Sequence, residues 1–257
     1  MSVFRLLFLC VFCFAFLPTQ VYAAKDTPGR VVKNKLYRTY NKMAEEQKFP
    51  IVMRNIMERL NAPYSSRNDL NVVMFWLRDQ YLYDNGDPKY GLGYVQFLES
   101  LTRNMKDSNP EQAETLKQNS VIHYFVSEHF IISDIARCAD PTAGQNTRNE
   151  LEQMRQNHLR RFAAMKYEDK ETVFKTIFEL IQERKNRTPY TEICKSGEIH
   201  MKKALESGKF TQDLQTKDGS QAFIDDNLPP DLINEQEWAQ RYNSVFNALK
   251  NDLLALQ

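Results

Sequence analysis

The sequence predicts an all-α protein: a multi-helix bundle around a long central helix, with one disulfide and a long irregular loop before the C-terminal helix. Three observations predict it. Only 8 of the 257 residues are glycine, and Leu, Glu, Lys, Gln, Arg, Met and Asn are abundant, a composition that favours helices over tight-turned sheets. Apolar residues recur at spacings of three and four through most of the chain. Residues 109–138 continue one such pattern without a break, and from Val121 onward its apolar residues spread around most of the circumference, as in a helix enclosed by others. With 42% hydrophobic and 12% aromatic residues the chain can bury a substantial core.

The leader comes first. Arg5 supplies a positive start, residues 6–17 an apolar run, and Val21-Tyr22-Ala23 a small-residue cleavage site, so residues 1–23 read as a secretory signal peptide. The apolar run is short for a bilayer span and is interrupted at Pro18, Thr19 and Gln20. Bulky residues precede Cys10 and Cys13, which excludes a lipoprotein reading. Residues 24–257 then form a single helical domain, periplasmic or secreted, with a lobe boundary expected near 139–146 and no stable membrane span after cleavage. In that mature chain Cys138 and Cys194 are the only cysteines. Two thiols in an exported chain are most simply a disulfide, and closing a loop of about 57 residues stabilises by roughly 4 kcal/mol in the chain-entropy model. A metal pair would need further ligands, and a nucleophile a base.

Two helices, or one kinked at Pro50, are expected over residues 28–47 and 51–60. A heavily apolar helix follows over 69–83 and a short one over 94–106. The acid- and glycine-rich stretch 84–93 between them reads as a loop; its spacing fits neither an EF-hand nor GxGxxG. The central helix has a well-marked start: Asn109 as N-cap, Pro110 in the first turn, Glu111 at the positive end of the dipole, and Gln112 at the capping-box position. The segment 139–144, with Pro141 and Gly144, must end it. A charged helix over 146–167 and another capped by Asp169 form a helical hairpin, and residues 191–207 carry Cys194 and a basic helical turn. Residues 210–231, polar and acidic, read as the irregular loop. Asn234 and Glu237 then mark the start of a C-terminal helix with Trp238, Tyr242, Val245, Phe246, Leu249 and Leu253 on its apolar stripe.

Charge excludes some functions. Without Arg5 the chain holds 33 basic and 33 acidic residues, so no overall field selects nucleic acid or anionic lipid. Residues 145–209 carry 14 basic against 10 acidic residues, and residues 210–257 carry 3 against 8, an imbalance that suits two regions facing each other or solvent. No GxSxG, P-loop, CxxC, HExxH or kinase-like set occurs, and no cofactor or metal is implied. His123 and His129 point about 120° apart on a helix.

What chemistry there is lies on the central helix. His123, Ser127, Asp134 and Arg137 share a narrow sector at about 100° per residue, either a solvent-facing edge, a hydrogen-bonded network or the floor of a polar groove. Glu128 stands beside His129, the pattern of a general acid and its neighbour in hydrolases acting on envelope polymers. Three functions follow. The first is a noncatalytic protein-protein interaction module, with a protein partner in the envelope or extracellular space. The second is a carrier of a small apolar ligand in an inter-helix cavity. The third is an envelope hydrolase using the candidates His123, Ser127, Glu128 and Asp134.

Overall fold

Helices form where the apolar spacing demands them. The computed structural model describes residues 34–46, 49–61, 66–83, 87–207, 210–213, 223–226 and 228–257; the expected signal peptide lies outside these. Among the described residues the chain runs through α1 (Lys35–Glu46), α2 (Phe49–Asn61), α3 (Arg67–Leu82), α4 (Lys89–Met105), the 26-residue α5 (Pro110–Ile135), α6 (Gln145–Ala163) and α7 (Tyr167–Glu183). A 3-10 turn (Thr191–Ser196), α8 (Glu198–Ser207) and α9 (Glu235–Leu254) complete the helices. Helix α5 is the centre: it packs against α4, α6, α7, α9 and the 3-10 turn. Buried apolar residues from Tyr37 in α1 to Leu253 in α9 form one contiguous cluster around it.

The start of α5 is built as its sequence indicates. Asn109 Oδ1 accepts the Gln112 amide at 3.2 Å, its side-chain amide donates to Gln112 Oε1, and Pro110 occupies the first turn, satisfying a donor that the helix itself leaves open. Beyond Val121 nearly every side chain is buried, polar ones included.

Helix α4 begins at Lys89, five residues before the expected start, and so absorbs half of the stretch taken for a loop. The Asp87 carboxylate accepts the Lys89 amide at 2.9 Å, capping the helix early. The glycines that argued against helix are there for packing. A Cβ on Gly91 would fall inside the Ser127 hydroxyl and lie 2.8 Å from Ser127 Cβ and 2.9 Å from the Tyr81 ring. Gly91 thus lets the α4 backbone lie directly on α5, which more than offsets a propensity cost of about 1 kcal/mol.

Two other boundaries differ from the sequence pattern. Lys166 occupies the N-cap of α7 and Asp169 lies inside its first turn, where its charge suits the dipole. Residues 191–207 divide at Gly197 into the 3-10 turn and α8. The cap of α8 comes from a distant segment: Asp140 Oδ2 accepts the Ile199 amide at 2.7 Å and Thr142 Oγ1 the Glu198 amide at 2.8 Å. Burial pushes the Asp140 carboxyl up, but these bonds and those from Thr142 outweigh it and hold it below the usual aspartate value. The Cys138–Cys194 disulfide, with Cα atoms 5.2 Å apart, fastens the same two segments covalently.

Within the region read as an irregular loop, Phe210–Asp213 and Phe223–Asp226 pair as a short antiparallel ribbon. The chain then returns to the end of α5. Ala139 N donates to Asp231 O and Ile233 N to Arg137 O, both at 3.0 Å, which sets α9 beside the C-terminal half of α5. Asn234 caps α9 by accepting the Glu237 amide at 2.9 Å.

The α4–α5 approach is directly testable. Gly91→Ala is expected to destabilise the protein by about 1–3 kcal/mol, the usual range for overpacking a tight contact. Equilibrium urea unfolding measures it, and a change near zero would mean that the two helices are not in such close contact.

Candidate functional site

Position along α5 separates the four candidate residues. His123 and Ser127 face α3 and α4. His123 Nδ1 shares a hydrogen bond with Tyr81 Oη, and its ring meets the Tyr94 ring edge-on at 4.8 Å. Ser127 Oγ donates to His123 O, one turn back, at 2.7 Å, not to an imidazole nitrogen. Asp134 lies about 16 Å further along the axis, where it is paired with Arg187 and accepts the Tyr190 amide at 3.2 Å. Arg187 also donates to Phe130 O. The structure therefore joins His123 to Ser127 but brings neither to Asp134 or Glu128. The shared sector is a buried network and not a solvent edge: Ser127 is 0% and Asp134 1% exposed.

Glu128 points elsewhere, toward α6. It accepts from Tyr124 Oη at 3.1 Å and from Arg155, whose other nitrogen reaches Asp252 on α9 at 2.7 Å. Burial raises the Glu128 carboxyl above the ordinary glutamate value, while Arg155 and the Tyr124 hydroxyl pull it down. Asp134 is raised in the same way, with Arg187 opposing.

Glu128 also opens onto the site that the sequence pattern did not disclose. A cleft of about 820 Å³ lies over the C-terminal half of α5, walled by α6 and α9. Both walls run antiparallel to α5: Glu128, Arg155 and Asp252 meet at one end, while Arg241 donates to Ala136 O and Cys138 O at the other. Ile132, Ala136, Leu151 and Leu249 give the cleft an apolar lining, and charged residues rim it. Arg148 and Arg241 stand at the Ala136 end; burial first, and then Arg241, lower the Arg148 guanidinium from its ordinary value. Arg241 is paired with Glu237, whereas the Arg148 guanidinium has no hydrogen bond or ion pair among the described residues. A helical signal existed: Arg148, Leu151, Glu152 and Arg155 on α6, and Arg241, Ser244, Val245, Ala248 and Asp252 on α9, each recur at helical spacing. Mixed with charge, such faces look like ordinary solvated surface.

Burial keeps three histidines neutral. His123, His129 and His158 are each lowered to about 3, in every case by burial first and then by a nearby arginine: Arg78, Arg187 and Arg161 respectively. His129 lines the cleft with both ring nitrogens buried and unpartnered, its ring packed on Tyr242 at 5.0 Å and Phe246 at 5.9 Å. Among the described residues no group of three or more His, Cys, Asp or Glu is arranged to hold a metal ion, and no helix is long and apolar enough to cross a membrane. No protein-family model, curated protein or solved structure matches the chain.

Arg187→Met is expected to cost about 3–5 kcal/mol, because it leaves the Asp134 carboxylate buried without its counter-charge. Adding Asp134→Asn should recover a large part, since a neutral amide can still accept from Tyr190; denaturant unfolding of the two variants checks this.

The histidines set a pH dependence of definite sign. Their native value of about 3 lies below the ordinary 6.5, so between those pH values the unfolded chain binds more protons and stability falls as pH falls. Their contribution is complete above pH 6.5 and is lost progressively toward 3. Buried carboxyls with raised values act in the opposite sense, so a difference measurement isolates one ring. The stability of wild type minus that of His129→Leu should fall by about 1.4 kcal/mol per pH unit below 6, read by urea unfolding at stepped pH. A flat difference would mean that His129 protonates freely in the fold.

Proposed function

We propose that the protein is a noncatalytic binding module acting outside the cytoplasm, and that the cleft over α5 is where a protein partner docks. The observation that carries this reading is the division of labour along α5. The candidates His123, Ser127, Glu128 and Asp134 are engaged with α5 itself or with Arg155, Arg187, Tyr81 and Tyr190, while the open surface beside them, the uncharged His129 ring included, offers apolar area rimmed by charge. That composition, an apolar centre with a polar rim, is how a protein interface is laid out. A carrier of an apolar ligand calls instead for an enclosed, greasy cavity. Export is supported by the leader pattern of residues 1–23 and by the Cys138–Cys194 disulfide, a cross-link that persists in oxidising compartments.

Ala248 is exposed on the α9 wall of the cleft, so Ala248→Trp obstructs the cleft without disturbing the core. The mature chain and this variant should be used side by side to capture protein from the native envelope or secretome, with mass spectrometry of what is held. A protein retained by wild type and lost by the variant at unchanged melting temperature is the expected result. Equal capture by both, or recovery of bound lipid with no protein, would defeat the reading.

A further inference from the structure

The cleft is electrically divided. At the Ala136 end, Arg148 and Arg241 feel each other's charge, and Arg241 is already engaged with Glu237 and two carbonyls, so the unused donors belong to Arg148. At the opposite end, Glu128, Glu152 and Asp252 line the cleft around Arg155, the single cation there among the described residues, and Glu152 adds its charge to that of Glu128. This end carries more negative than positive charge. Glu128 and Ala136 are eight residues apart on α5, which puts the two ends about 12 Å from each other. Ile132 lies between them.

An extended chain advances about 3.3 Å per residue and turns alternate side chains to one face. Residues i and i+4 therefore span about 13 Å on the same face, with i+2 midway. A helix fits poorly, because the Arg155–Asp252 ion pair at 2.7 Å ties the two walls together at one end, and a helix with its side chains is about 10 Å across.

We propose that the occupant of the cleft is an extended segment of a partner chain with a basic and an acidic side chain four residues apart and an apolar side chain midway. The acid lies at Arg148, the base at Glu152 and Asp252, and the apolar group on Ile132 and Leu249. This rests on the reading of the cleft as a docking surface and gives that surface a sequence preference. Two like charges at those positions would each meet their own sign at one end, which is how the cleft would reject wrong segments.

The test is an amide-resolved NMR titration of the purified chain with a pentapeptide of lysine, serine, leucine, serine and glutamate, blocked at both ends. Its reverse order is titrated too, since the pattern does not fix chain direction. One of the two should bind and shift amides of α6 and α9. Replacing its glutamate by glutamine should weaken binding by about ten-fold or more. Arg148→Ala should weaken the glutamate peptide by a similar factor and leave the glutamine peptide unchanged, a split that general damage to the fold would not produce. No shift with either order at millimolar peptide, equal affinity for the glutamate and glutamine forms, or indifference to Arg148→Ala would each overturn the proposal. Any of these, with partner capture still lost in Ala248→Trp, condemns the charge pattern alone; capture that survives Ala248→Trp condemns the docking surface itself.

Discussion

Four buried polar side chains of α5, His123, Ser127, Glu128 and Asp134, each take a hydrogen-bond partner, and that constraint organises the molecule. A helix carrying His123, Ser127, Glu128 and Asp134 into the interior stands only if other elements bring partners to it, because an unpaired buried charge costs several kcal/mol. Ser127 bonds back to α5 itself, but the other partners come from elsewhere: Tyr81 from α3, Arg155 from α6, and Arg187 with Tyr190 from the connection after α7. The bundle is arranged so that these arrive on the correct side of α5. Apolar packing makes the helices collapse together; the polar contacts select which face of each one turns inward.

This explains why residues that share one face of a helix in sequence need not meet in space. Residues spaced for a common face share it only in projection. Eleven residues of rise separate His123 from Asp134, and different neighbours claim each. The surface left open instead is the one where α6 and α9 lie against α5 without closing over it.

Much of the architecture was legible in the sequence. The enclosed half of α5, its Asn109 start and the Asn234 cap rest on local signals whose meaning does not depend on the rest of the chain, and the Cys138–Cys194 link rests on a count, these being the two cysteines that remain after the leader. The start of α4 was not legible, because Gly91 and Gly93 read as breakers until the Ser127 side chain against which Gly91 must fit is known. The α8 cap was hidden for a similar reason: Asp140 and Thr142 lie more than fifty residues from the amides they receive. Of the cleft, only Glu128, beside His129, was read for its chemistry; Glu237, Val245 and Leu249 read as helix start and apolar stripe, since the residues of α6 and α9 acquire their meaning only when the two helices stand on either side of α5.

The long reach of α9 also governs the order of assembly. Trp238 donates to Ser133 O across 105 residues and Arg155 meets Asp252 across 97, so the flank of α5 under α9 stays wet until the last helix arrives. Distant closures of this kind are slow to form relative to local ones. A chain emerging from its amino end can settle α1 to α5 early, yet the far side of α5 acquires a second wall only after α9 has been delivered.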